Sequence, residues 1–261
     1  MTSMPKPGGV RGVLFDLYGT LLDLRVDEDQ PALWQGLAEA LAASGARATP
    51  AVEIRRRYQQ ILREEGRHIG EGFLMEPVFG RLLASCGSRL DVPTFGRLFR
   101  RLSTETLSIR PYAAPLFEAL RQTSCRLAIV SNTEAVLTRV DLDSHPILQS
   151  VDTLVLSSEV GVRKPDPRII RVALDRLHLP AASAVLVGNS PHEDIEGARR
   201  AGVRAILVDD NARCVERRDG DPVVLRVPPT LAALTRALEE CGWRSPAVRR
   251  ADSRRGRAPR A

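Results

Sequence analysis

Lysine is nearly missing from this 261-residue chain: of 38 basic residues only Lys6 and Lys164 are lysines, and the other 36 are arginines. Long apolar runs are missing too. No stretch of about 18 apolar residues occurs, so no helical membrane span is expected. The opening Met-Thr-Ser-Met-Pro-Lys-Pro-Gly-Gly has none of the apolar core of a signal peptide, and a cytoplasmic location is expected. Cys86, Cys125, Cys214 and Cys241 lack any Cys-x-x-Cys spacing. That pattern speaks against zinc and disulfides and for reduced, mostly buried thiols. His145, His178 and His192 show no ligand spacing, and no internal repeat is found.

Net positive charge is also missing from most of the chain, although the formal total is +6. Residues 244–261 hold seven arginines against Asp252, which accounts for all of it. With Ser, Pro, Gly and Ala between the charges, this segment reads as a disordered basic tail. Residues 1–243 are then electrically balanced, so neither a nucleic acid nor a membrane surface is expected as partner. Oligomeric state cannot be read from these features.

What is present is an ordinary globular composition, 43% hydrophobic and 27% charged, enough for one large or two smaller domains. Three short apolar runs end on polar residues: Val13-Leu14-Phe15 on Asp16, Leu127–Val130 on Ser131 and Asn132, and Val185–Val187 on Gly188-Asn189-Ser190. Such runs, alternating with helical patterns, read as parallel strands of an α/β sheet. Ligands bind beyond the carboxyl ends of such strands. Lys164 lies in Ser-Glu-Val-Gly-Val-Arg-Lys-Pro-Asp-Pro, 158–167, after the run Leu154-Val155-Leu156. A chain that writes arginine almost everywhere keeps lysine where a compact point charge serves better than a planar fork.

Between the first strand and residue 109 the strand pattern stops. Helical spacing predicts helices over about 30–44, 50–65, 74–86 and 92–108. Ile54, Tyr58, Ile61 and Leu62 align on the second, and Phe95, Leu98, Phe99 and Leu102 on the fourth. Pro111 opens a further helix, and another over 229–241 closes the fold.

The four segments around Asp16, Ser131, Lys164 and Asp194 resemble, in order and spacing, the four motifs of the haloacid dehalogenase-like (HAD) hydrolase superfamily. The resemblance runs from residue 11 to about 240. It implies a Rossmann-like parallel α/β core, residues 1–24 and 109–243, with an inserted all-helical cap, residues 25–108. It implies Asp16 as nucleophile, Lys164 and Ser131 as its catalytic partners, and Ser131, Asn132, Gly19 and Thr20 around an anionic small-molecule substrate. For Ser131 and Asn132, capping of the helix that follows is the structural alternative. A Mg²⁺ ion would be held by Asp16, the Tyr18 carbonyl, Asn189 and Asp194.

Two positions depart from the phosphatase pattern. Tyr18 stands where most phosphatases carry a second aspartate as general acid and base, and Asn189 where most carry an aspartate ligand for magnesium. Two carboxylates then face one lysine, which weakens the demand for a cation. Tyr18 is what the L-2-haloacid dehalogenase branch, which uses no metal, carries there. That branch has asparagine where Pro191 stands and tyrosine where Ile170 stands, so neither template fits throughout. The expected function is a phosphatase for a small phosphorylated metabolite. The alternatives are a metal-independent 2-haloacid dehalogenase and a binding protein with little turnover. Arg55, Arg56, Arg57, Arg63 and the Arg67-His68 turn are candidates for meeting an anion, with a solvated helix face as the plainer alternative.

Overall fold

A computed structural model describes residues 9–69, 74–218 and 224–246. The chain divides into two compact units: Met1–Asp23, Ser108–Asn132 and Ile147–Ala261 form one, and Leu24–Leu107 with Thr133–Pro146 the other.

The first unit is built on a sheet of β1 (Gly12–Phe15), β4 (Arg126–Ser131), β5 (Thr153–Leu156), β6 (Ala184–Gly188), β7 (Arg204–Val208), β8 (Glu216–Arg218) and β9 (Val224–Val227). Its order is β5-β4-β1-β6-β7-β9-β8. All neighbours run parallel except the antiparallel edge pair β8–β9. The apolar runs are continuous rather than alternating because helices cover both faces of such a sheet. Leu14, Val130 and Leu186 pack against Ile169, Ile170 and Ala173 of α8 (Pro167–Leu177) and Ala198 of α9 (Glu196–Ala201). The Asp166 carboxylate caps α8 by accepting from Arg168 N at 2.9 Å. The short α7 (Ser157–Val160) follows β5, α5 (Ala113–Arg121) precedes β4, and α10 (Leu231–Glu240) follows β9.

Register fixes where the polar residues fall. Phe15 lies opposite Ile129 on one side and Val187 on the other. Asp16, Ser131 and Asn189 therefore crowd the carboxyl edge of three adjacent strands. The order reverses direction at β1, which is where an open α/β sheet forms its binding crevice.

The second unit holds α1 (Pro31–Ala43), α2 (Ala51–Ile69), α3 (Met75–Cys86), α4 (Val92–Ser103) and α6 (Ala135–Asp143). Ile54, Tyr58, Ile61, Phe95 and Phe99 are buried, and Leu62, Leu98 and Leu102 pack partly against them, so the amphipathic spacing placed this core. Trp34, Tyr58, Phe79 and Phe99 meet ring to ring, with centroids 5.1–6.2 Å apart. Arg56 and Arg57 are paired with Glu53, and Arg55 with Asp29, as on a solvated face. The side chains of Arg67 and His68 lie outside the described residues, as does most of the basic tail.

Two differences from the sequence reading stand out. The helix expected to reach 108 ends at Ser103, and Thr104–Ile109 becomes β3, which pairs with β2 (Leu22–Val26) in a two-stranded ribbon. Its Thr-Glu-Thr-Leu-Ser-Ile alternates and is rich in strand formers. Residues 133–146 group with the helical unit, where the reading assigned them to the α/β core. Val136 and Leu137 join the helical core, Met75 N donates to Glu134 Oε2 at 3.0 Å, and the buried Asp141 lies 3.3 Å from Arg100 Nε. Cys86, Cys125 and Cys241 are buried, Cys214 is exposed, and all four are free thiols. No helix among the described residues is long and apolar enough to cross a membrane.

Candidate active site

Asp16 follows directly on β1, its backbone N–H donating to Val187 O at 2.9 Å, so the sheet itself fixes the carboxylate at the strand tip. Lys164 reaches it from the loop before α8. The lysine side chain is fully buried, and Nζ donates to Asp16 Oδ1 at 2.6 Å and to Asp194 Oδ1 at 2.5 Å. Asp194 comes from a single π-helical turn, Pro191–Ile195, that follows β6. Its second oxygen accepts from Ser190 N at 2.9 Å. Gly188 is glycine because a Cβ there would collide with the Asp194 carboxyl group.

Two buried carboxylates share one ammonium, and the charge balance shows. Burial pushes Asp16 up to about 6; Lys164 opposes the rise and the Asp194 charge adds to it. Burial pulls Lys164 down, but the two carboxylates outweigh it and hold the ammonium above its ordinary range. The ammonium and the two carboxylates are thereby held as one hydrogen-bonded cluster.

The far side of Asp16 is equally committed. Thr20 Oγ1 donates to Asp16 Oδ2 at 3.1 Å. Asn189 lies over the Gly19 turn, where Gly19 has φ +79° and any Cβ would strike the amide. With its nitrogen facing inward, the Asn189 amide donates to Tyr18 O and Asp16 Oδ2 at 3.2 Å and to Thr20 Oγ1 at 3.1 Å. Ser131 closes β4 and is buried.

Most residues singled out from the sequence thus gather at one place. Asp16, Lys164 and Asp194 are bonded to one another, and Asp16, Thr20, Asn189 and the Tyr18 carbonyl to one another. Asn132 differs from the expectation. Its amide nitrogen donates to Lys164 O at 2.9 Å and its oxygen accepts from Lys164 N at 2.7 Å, so both amide atoms are spent on clamping the lysine's backbone. Neither Ser131 nor Asn132 caps the following helix, whose N-cap is Glu134. Thr20 is fully buried and faces the carboxylate, which makes it a prop for Asp16. Tyr112, absent from the sequence reading, donates its hydroxyl to Thr20 O. It enters from α5's N-cap, 92 residues away, and nothing in the local sequence signals that contact.

A family model for haloacid dehalogenase-like hydrolases matches residues 10–202. The chain belongs to that family. It is 30% identical over 202 residues to the plasmid-encoded phosphoglycolate phosphatase of Cupriavidus necator, a match covering 75% of this chain and 79% of that one. It is 36% identical over 103 residues to the phosphoserine phosphatase of Thermus thermophilus, covering 40% of this chain and 41% of that relative's length. Among solved structures, the 2-haloacid dehalogenase of Pseudomonas syringae pv. Tomato DC3000 superposes with a TM-score of 0.57 at 23% identity, covering 88% of this chain and 99% of that one. The HAD fold is therefore shared with phosphatases and dehalogenases alike, while the curated sequence relatives named here are phosphatases.

Proposed function

We propose that this HAD hydrolase is a phosphatase acting on a small phosphorylated metabolite in the cytoplasm, with Asp16 as its nucleophile. The observation that carries the proposal is the buried lysine shared between Asp16 and Asp194 at the carboxyl edge of β1. An aspartate needs a nearby cation to stay ionised there, and the same cation neutralises charge on an incoming phosphoryl group. The phosphatase names of the sequence relatives favour phosphorus over carbon as the centre attacked.

An Asp16 carboxylate oxygen bonds to phosphorus as the ester P–O bond breaks, giving an aspartyl phosphate and an alkoxide that takes its proton from water. Water then attacks that phosphorus, releasing inorganic phosphate and restoring the carboxylate. Ser131 and nearby backbone N–H groups hold the phosphoryl oxygens. Thr20 and Tyr112 keep the loop that carries Asp16 in place. With tyrosine at 18, no carboxylate stands ready to protonate the leaving oxygen.

HAD phosphatases generally use Mg²⁺. The donor set here fits such an ion: Asp16 Oδ2, the Tyr18 carbonyl and the Asn189 amide converge within 3.2 Å, and hard oxygens are what magnesium takes. Asp194 has one oxygen on Lys164 and the other on Ser190 N. When bound, the ion supplies positive charge to the phosphoryl oxygens.

Tyr18 keeps a second reading in play, since substitution at carbon with loss of halide needs no proton donor. One screen separates the two: phosphate esters and 2-haloacids, with and without Mg²⁺, read by phosphate and halide release. Phosphate release alone is expected. Halide release alone would replace the phosphatase with a dehalogenase, and tight ligand binding without either product would point to a binder.

A further inference from the structure

The Asn189 side chain sits among three oxygens, and its two orientations have opposite consequences. With the amide oxygen inward, it faces Tyr18 O and Asp16 Oδ2 at 3.2 Å with no hydrogen between them, and only Thr20 Oγ1 can donate to it, at 3.1 Å. That arrangement holds together only around a cation. With the nitrogen inward, its two N–H hydrogens are shared among the same three oxygens, and Thr20 Oγ1 donates its hydrogen bond to Asp16 Oδ2. The Gly19 turn leaves room for the amide in both orientations, because no side chain projects there.

We propose that the Asn189 carboxamide is a built-in substitute for the divalent cation: turned nitrogen-inward, it holds Asp16 and the Tyr18 carbonyl in place with no metal bound, and Mg²⁺ enters only by turning it over. Aspartate at this position cannot do this. It has no N–H to give, and it would set a third carboxylate beside Asp16 that only a cation relieves. The amide also lowers the charge available to the ion. Mg²⁺ is then an optional ligand of a site that is already complete, rather than part of its structure.

This rests on reading the Asp16 cluster as the reaction centre, but its test needs no substrate and stands apart from the phosphatase assignment. Thermal melts of wild type and Asn189→Asp are compared in EDTA and in millimolar Mg²⁺, with Mg²⁺ affinity taken by calorimetric titration. Wild type is expected to melt cooperatively in both media, with only the small gain in Mg²⁺ that weak binding supplies. Asn189→Asp should melt lower in EDTA, recover in Mg²⁺, and bind Mg²⁺ roughly tenfold tighter or better than wild type. A wild type that loses its cooperative melt in EDTA would overturn the proposal, even if the variant failed to fold. So would an Asn189→Asp protein indifferent to EDTA.

Discussion

Asp16 is poised rather than comfortable. An acid whose pKa is raised on folding is favoured when protonated, so its contribution to stability is present at low pH and lost as pH rises through about 6. At neutral pH the ionised Asp16 therefore weighs against the fold. Asp16→Asn removes that charge while Asp194 still satisfies Lys164. The variant should melt at or above wild type at pH 7 in EDTA, with the gap closing towards pH 5, and should keep less than about 1% of turnover. A variant less stable than wild type at pH 7 would show that the Lys164 pairing outweighs burial. Lys164→Arg should lose both turnover and stability, because a fully buried pocket shaped for an ammonium between two carboxylates does not take a planar fork. Activity and melts on that variant check both losses; wild-type behaviour in either contradicts the pocket. At position 18 the missing proton donor should show as selectivity. Aryl and acyl phosphates should turn over far faster than alkyl esters, and Tyr18→Asp should narrow that gap by about 10²–10⁴-fold. Equal rates on both substrate types in wild type would mean another group donates the proton.

At the scale of elements, the sequence was legible where one physical rule governs. Strands buried on both faces read as unbroken apolar runs, so β1, β4 and β6 and the polar residues at their tips were found. The apolar faces of α2 and α4 followed from their spacing. What stayed hidden depends on long-range partners. β3 is an edge ribbon strand whose pairing with β2 lies some 80 residues away, and it follows a helix with no breaker between them. Asn132 carries no mark that its amide grips Lys164, and Tyr112 none that its hydroxyl reaches Thr20. Within the helical unit, Phe99 is buried among four other rings while Val52 on α2 is 75% exposed. Phe99→Ala should cost about 3–5 kcal/mol. Val52→Ala should stay within about 0.5 kcal/mol. Denaturant melts on the two variants decide whether that aromatic core stabilises the unit as its packing implies.

For the whole molecule, the helical unit is not the single insertion that the sequence suggested. Thr133–Pro146 belongs to it, so the segment that follows Ser131 and Asn132 is packed with helices from another part of the chain. A protein lacking residues 24–107 should therefore expose Val136 and Leu137 and bind a hydrophobic dye, even with its α/β sheet intact. A well-behaved, dye-silent deletion would return that segment to the α/β core. The claim on which the rest depends is that a phosphoryl group passes through Asp16. The most direct measurement is acid-quench mass spectrometry after brief mixing with acetyl phosphate, an acyl phosphate that needs no proton donor to react. A phosphorylated peptide containing Asp16 is expected in wild type, and none in Asp16→Asn. Phosphate release by wild type with no adduct, matched by Asp16→Asn at the same rate, would contradict the account.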